Sequence, residues 1–279
     1  MNSKISLFGN GYIGKEFVRQ FEDDVIIQDK FDYASRTPKV LYGISTVHNY
    51  HVKKKPYLDI DTNLTTLVTF LENMRRIHGE KSDITFLSSW FVYGRQDFVP
   101  VKETACCNPT GFYSVTKYAA EMLLASYCKT YNMKYRILRL CNVIGGVDEK
   151  ADRKKNALQY MITELVKGRK VDYLYDTECY RDYMDVRDVV RAIKIAMTSE
   201  SGEIINIGSG NGRIVKEIIE DVHCEVRGIN LLELIPIPKF HKDVQTDNMV
   251  LDVSKLKSMG FVQQYSLQDT IEDIIKHAK

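Results

Sequence analysis

Short apolar runs and amphipathic stretches alternate along the first half of the chain. The runs at 4–8 (KISLF), 25–28 (VIIQ), 39–44 (KVLYGI), 83–88 (DITFLS) and 135–141 (YRILRLC) have the length and the β-branched or aromatic content of strands buried on both faces. Between them, residues 12–21, 57–77 and 113–130 place apolar side chains at helical spacing, and in the last of these Tyr118, Met122 and Ala125 share a face. This alternation predicts an α/β fold: a Rossmann-like doubly wound parallel sheet covered by helices on both sides. After Gly145 the pattern loosens into the charged segment EKADRKKN, then a helix, then the run RKVDYLYDTECYRDYMDV. A boundary there divides the chain into a larger domain at 1–145 and a small C-terminal lobe at 146–279, with a further strand at Glu203–Ile207 able to return to the first sheet.

Composition narrows the picture without naming a function. At 279 residues and 44% hydrophobic content the chain can bury a sizeable core. Its 39 Lys and Arg nearly cancel its 37 Asp and Glu, so no strong field draws it to nucleic acid or to a membrane surface. A small-molecule partner is expected. The six cysteines form no CxxC pair and have no zinc-site spacing to histidine, so they are read as reduced core thiols and no metal site is expected. No apolar stretch approaches the roughly 18 to 20 residues of a membrane span, which points to a cytoplasmic location.

Chemistry enters with the glycines. The first strand runs into Gly9-Asn10-Gly11-Tyr12-Ile13-Gly14, a GxGxxG at a strand–helix junction. Such a turn lets a pyrophosphate approach the backbone N–H groups of a helix N-terminus, so Gly9, Gly11, Tyr12, Ile13 and Gly14 are candidate cofactor contacts. Asp29 ends the second strand, where a carboxylate accepts from ribose hydroxyls and repels a 2′-phosphate; this favours NAD, while the nearby Lys30 and Arg36 leave NADP open. Further on, Tyr113 and Lys117 stand four residues apart on one helix face. Lowering a phenol from about 10 to about 7 needs roughly 4 kcal/mol, which one ammonium about 4 Å away supplies at an effective dielectric near 20. Tyr113 is therefore a candidate base.

The ordered set resembles a known family. The GxGxxG turn, the acidic strand end, Ser88-Ser89-Trp90-Phe91-Val92-Tyr93-Gly94, Tyr113–Lys117, Arg139–Gly145, Arg181-Asp182-Tyr183, Asn206–Gly210 and Asp252–Lys255 follow one another as in the NAD-dependent epimerase/dehydratase family of extended short-chain dehydrogenases/reductases. The resemblance covers nearly the whole chain, and within the family it is to UDP-glucose 4-epimerase-like sugar-nucleotide enzymes. It implies Tyr113 as general base or acid, Lys117 as its partner and a holder of the nicotinamide ribose, and Ser89 on the reacting sugar oxygen. It also implies Asn63 near the cofactor and Asn142 and Arg181 on the substrate's diphosphate. The implied reaction is epimerisation through a transient 4-keto sugar, with a 4-keto-6-deoxy sugar reductase as the alternative and a non-catalytic dinucleotide-binding protein behind both. A homodimer formed through the helices at 57–77 and 113–130 is implied by the same analogy. His48, His51 and His241 match nothing in the family and are read as surface or structural histidines.

Three features depart from the family. Phe8 stands where its first glycine usually lies. Only about ten residues separate Asp29 from the strand at Lys39, so the sheet is expected to be shortened by one β-α unit, with Phe31 or Tyr33 covering the adenine. Dehydratases carry acids after the catalytic hydroxyl position, where this chain has Trp90 and Phe91, which cannot protonate a leaving hydroxyl.

Overall fold

The computed structural model describes residues 4–29, 32–146, 148, 151–152, 154–174, 179–226, 231–244 and 248–279. In chain order the strands and α-helices are β1 (Ile5–Phe8), α1 (Tyr12–Phe21), β2 (Val25–Ile27), β3 (Lys39–Tyr42), α2 (Leu58–Ile60), α3 (Thr66–His78), β4 (Asp83–Ser89) and α4 (Phe112–Thr130). There follow β5 (Lys134–Leu140), β6 (Asn142–Ile144), α5 (Ala157–Val166), β7 (Val171–Leu174), β8 (Tyr180–Asp185), α6 (Val186–Ala196) and β9 (Glu203–Ile207). The chain closes with β10 (Gly212–Ile214), α7 (Val215–Glu225), β11 (Leu232–Ile235), α8 (Lys239–Val244), α9 (Ser254–Ser258) and α10 (Leu267–Ala278).

Six strands form one parallel sheet in the order β2-β1-β3-β4-β5-β9. The expected α/β doubly wound sheet is thus present, and β9 pairs with β5 at its far edge. On one face α1 and α6 pack together, burying Phe17, Val189, Val190, Ile193 and Ala196. On the other, α3 buries Leu67, Phe70, Leu71 and Met74, an i, i+3, i+4, i+7 stripe, against the sheet and α4. Each such fully buried side chain contributes roughly 1.5–3 kcal/mol from apolar area removed from water.

The missing β-α unit is visible between β2 and β3, where no helix forms among the described residues. A small polar network seals the gap instead: Gln28 Nε2 donates to Ser6 Oγ (3.1 Å), the Thr37 N–H donates to the same oxygen (3.1 Å), and Ser35 Oγ donates to the Thr37 carbonyl (2.7 Å). Tyr33 packs against the core that contains Tyr42 and Phe70 and is not among the residues lining the main cavity, and Phe31 lies outside the described residues.

Smaller sheets β10-β8-β6 and β11-β7 lie beyond β5, around a second core of Ile144, Ile162, Ile218, Ile219, Ile271 and Ile274. Two sequence expectations fail here and in α4. Cys106 and Cys224 are exposed; only Cys128 and Cys141 are buried, and all six are free thiols. The buried face of α4 is not that of Tyr118 and Met122, for Met122 is 59% exposed. The inner stripe runs Tyr113, Lys117, Ala120, Glu121, Leu124, Cys128, and its two charged members disguised it. Among the described residues no helix is long and apolar enough to cross a membrane, and no cluster of side chains could hold a metal.

Candidate active site

The carboxyl ends of β1, β3, β4 and β5 open into a single cavity of about 1100 Å³. It lies where strand order reverses between β1 and β3, the crevice in which open α/β sheets bind ligands. Gly9, Gly43, Ser89 and Cys141, each at or just past the end of one of these strands, all line it.

Gly9 has φ +102°, and a Cβ there would lie 2.7 Å from the Gly43 carbonyl carbon; a Cβ on Gly14 would lie 2.3 Å from the Gly9 carbonyl oxygen. These two glycines are required by the close packing of turn, helix and strand. Gly11 differs. A Cβ there would meet nothing within 4 Å, so its side of the turn is open to the cavity, and α1 begins at Gly11 with no side-chain cap and no acid in its first turn. Uncapped N–H groups beside an open glycine fit a pyrophosphate. Ile13 lines the cavity and packs on the core, and Tyr12 lines it too, but the Tyr12 hydroxyl is committed to the Gly145 carbonyl at 2.5 Å, fastening α1 to the loop after β6. Burial and neighbouring Asp148 and Asp185 hold that phenol well above its usual pKa.

Tyr113 and Lys117 both reach the cavity from the first turns of α4 and are almost wholly buried. Burial pushes the Tyr113 phenol up to about 12, against the lowering effect of the Ser89 and Ser45 hydroxyls. The Lys117 ammonium donates to the Leu87 carbonyl at 2.7 Å and lies 4.1 Å from the Phe86 ring centre, and burial brings it down to about 7 against the opposing pull of Glu121. The expected lowering of Tyr113 by Lys117 is therefore not what the side chains show, because the ammonium is turned towards β4. Beneath them Glu121 binds Arg139 through two hydrogen bonds (2.7 and 3.1 Å) and accepts from Ser88 Oγ at 2.5 Å. Trp90 and Phe91 stack at 4.0 Å along the cavity wall, and Phe91 meets the Tyr113 ring edge-on at 6.1 Å.

Asn63 does not itself line the cavity. It occupies a π-helical turn, Asp61–Thr65, and its amide binds the Thr46 N–H (2.9 Å), Ser45 Oγ (3.1 Å), Thr46 Oγ1 (2.9 Å) and Thr116 Oγ1 (3.0 Å), so it ties the loop after β3 to α4. Asp29 is exposed and does not line the cavity. Asn142 and Arg181 do line it: Asn142 Nδ2 donates to the Asp182 carbonyl (3.0 Å), and the Arg181 guanidinium stands 5.8 Å from the Trp90 ring centre.

Several residues at the site were missed by the sequence reading. Ser45 and Thr46 could have been found from their place just past the end of β3, beside the glycine turn. Asp182 is a buried hub that accepts from the Ser209 N–H (3.0 Å) and Oγ (2.5 Å), the Gly210 N–H (3.2 Å) and the Leu251 N–H (3.2 Å); burial still pushes its carboxyl up. His241, read from the sequence as a surface or structural histidine, is half-buried and lines the cavity, with its Nδ1 2.6 Å from the Tyr50 hydroxyl. His48 and His51 stack at 3.9 Å, and burial, with His51 beside it, lowers the pKa of His48.

Known proteins share this fold. A UDP-glucose 4-epimerase of Thermotoga maritima solved with UDP-glucose matches with a TM-score of 0.88 at 24% identity, covering 98% of both chains. The NAD complex of the Thermus thermophilus UDP-glucose 4-epimerase gives 0.86 at 22%, over 99% of this chain and 98% of that one. In sequence, a protein of Methanocaldococcus jannaschii provisionally named UDP-glucose 4-epimerase is 27% identical over 267 residues, 95% of this chain and 84% of its own. The model of the NAD dependent epimerase/dehydratase family matches residues 32–208. With that match spanning more than half its length, from before β3 to just past β9, and taking in Ser89 and the cavity-lining Tyr113 and Lys117, the chain belongs to the NAD dependent epimerase/dehydratase family.

Proposed function

We propose that this chain is an NAD-dependent sugar-nucleotide 4-epimerase. The observation that carries the reading is the convergence of Tyr113, Ser89 and Lys117 on the cavity that also contains the open glycine turn, with stacked aromatics and no acid at 90–91. Gly9, Gly11, Tyr12, Ile13 and Gly14 would hold the cofactor's pyrophosphate, and Lys117 its nicotinamide ribose. When bound, NAD would supply a reversible hydride acceptor for the sugar and a positive charge that favours an ionised Tyr113. Tyr113 removes the proton of the sugar's C4 hydroxyl as that carbon is oxidised and restores it once the keto sugar has turned over. Ser89 hydrogen-bonds the same oxygen, and Asn142 and Arg181 bind the diphosphate from the far wall. Residues 1–145, with β9, form the cofactor side, and the rest of 146–279 the substrate side.

Relatives named UDP-glucose 4-epimerase support this reading. A second reading, a 4-keto-6-deoxy sugar-nucleotide reductase, is favoured by one relative: the dTDP-4-dehydro-6-deoxyglucose reductase of Escherichia coli is 27% identical over 85% of this chain and 73% of its own. The two separate in one assay with UDP-, dTDP-, CDP- and GDP-sugars and their 4-keto-6-deoxy forms, following NADH absorbance and sugar configuration by NMR. An epimer without net change in NADH is expected. Stoichiometric NADH or NADPH loss with a keto sugar and no epimer would establish the reductase, and bound dinucleotide with no turnover a non-catalytic protein.

A homodimer through α3 and α4 is part of the proposal, because Val68, Ile77, Val115, Met122 and Leu123 leave an apolar surface on those helices. Sedimentation should show a dimer that Met122→Glu converts to monomer; a monomeric wild type would exclude it.

A further inference from the structure

Immediately after Ser89 the chain turns through a single 3₁₀ turn, Trp90–Tyr93, and this turn fixes Phe91 beside the reacting groups. The Phe91 N–H donates to Ser89 Oγ at 3.4 Å, its ring stacks on Trp90 with centres 4.0 Å apart and planes 21° from parallel, and it stands at 84° to the Tyr113 ring, 6.1 Å away. Trp90 is only 3% exposed and belongs to the core, so the ring on which Phe91 stacks is itself held. Phe91 is half-buried and lines the cavity. Its ring offers a ligand neither a donor nor an acceptor. A hydroxyl or carboxylate pressed against it gives up water and gains no partner, whereas a hydrogen or a methyl group gives up nothing.

A pyranose whose O4 lies between Tyr113 and Ser89 turns the carbons that flank C4 towards this ring. C3 carries a hydroxyl in ordinary pentoses and hexoses alike, so discrimination falls on the substituent of C5: hydrogen in a pentose, methyl in a 6-deoxyhexose, hydroxymethyl in a hexose, carboxylate in a hexuronate. We propose that the Phe91 ring, stacked on Trp90 and edge-on to Tyr113, faces the C5 substituent of the sugar and makes the site selective for sugar nucleotides with no polar group at that position, the pentoses and 6-deoxyhexoses, over hexoses and hexuronates. The Arg181 guanidinium, 5.8 Å from the Trp90 ring centre, lies against the other ring of the pair, and the proposed reading assigns it to the diphosphate. The inference rests on Tyr113 and Ser89 holding the C4 oxygen, applies to epimerase and reductase alike, and is tested by binding instead of turnover.

The test titrates UDP, UDP-xylose, UDP-glucose and UDP-glucuronate calorimetrically into protein loaded with NADH, which cannot oxidise them. The three sugars differ only at C5. UDP-xylose should bind about tenfold more tightly than UDP-glucose and at least about a hundredfold more tightly than UDP-glucuronate, the scale of an unpartnered hydroxyl and an unpartnered charge against an apolar wall. Phe91→Asn, which puts a donor and an acceptor in that place, should narrow the first gap to about twofold, and the apolar Phe91→Leu should keep it. Should Phe91→Asn fail to fold, Phe91→His, a polar ring that can still stack, carries the same expectation. Equal binding of UDP-xylose and UDP-glucose, or a gap that survives both polar substitutions, overturns the proposal; tightest binding of UDP-glucuronate overturns it too and gives the carboxylate to Arg181. If UDP itself does not bind, the comparison is made with dTDP-xylose, dTDP-6-deoxyglucose and dTDP-glucose. No binding in either series removes the sugar-nucleotide reading and this inference with it, whereas binding without discrimination removes the inference alone.

Discussion

Where β4 meets α4, polar groups are buried deeply and each is held by a named partner: Lys117 by the Leu87 carbonyl, Ser88 and Arg139 by Glu121, Asn63 by Thr46 and Thr116. Where β2 ends, the chain omits a helix, short contacts among Ser6, Gln28 and Thr37 close the gap, and Asp29 is left at the surface. The first region fixes atoms to within a hydrogen bond because unpaired burial there would cost several kcal/mol. In the second, Ser6 and Gln28 are buried, but Asp29 faces water and is free to vary. On the proposed reading, reaction chemistry belongs to the rigid end and cofactor preference to the loose one, and substitutions at the two ends should have effects of very different size.

The largest effect is expected at Tyr113. Tyr113→Phe should lower turnover by about 10²- to 10⁴-fold, the usual contribution of general acid–base catalysis, while calorimetry finds NAD binding nearly unchanged. Equal loss of binding and turnover would mean that the hydroxyl holds the site together instead of moving a proton.

Lys117 gives an intermediate effect, read in stability. Its folded pKa, about 7, lies below the ordinary 10.5, so between these values the unfolded chain binds more protons than the folded one and stability rises with pH. In urea unfolding of nucleotide-stripped protein, wild type should gain up to about 2 kcal/mol between pH 7 and pH 9 relative to Lys117→Met. Parallel profiles for the two proteins would show that the ammonium keeps its solvation despite its burial.

Asp29 should give the smallest effect. The wild type is expected to bind NAD more tightly than NADP, and Asp29→Ala to narrow that gap by up to about fivefold, the scale of one charge interaction at an exposed site. Tighter binding of NADP to the wild type would transfer the choice to the basic residues that follow, of which Arg36 is exposed and Lys30 lies outside the described residues.

Much of the fold was legible because strands buried on both faces must be continuously apolar, which marks β1, β3, β4 and β5 in the sequence. Even the missing β-α unit could be counted from the nine residues between Asp29 and Lys39. The inner face of α4 was not legible. Its stripe includes Lys117 and Glu121, and a charged residue reads as solvent-facing until its partner is known; that partner, Arg139, is 18 residues away in sequence and adjacent only in space.

The same division runs through the candidate site. The order and spacing of the motifs determined the fold class, the family and the presence of Tyr113 and Lys117 on one helix face, because those depend on local periodicity and on glycine geometry. Only the tertiary structure decided where each polar atom is spent. It took the Tyr12 hydroxyl to Gly145, the Asn63 amide to Thr46 and Thr116, the Lys117 ammonium to Leu87, and the Ser45 hydroxyl to Asn63 across 18 positions of sequence. Hydrogen-bond partners are chosen by distance and direction in the folded chain, which no one-dimensional spacing encodes.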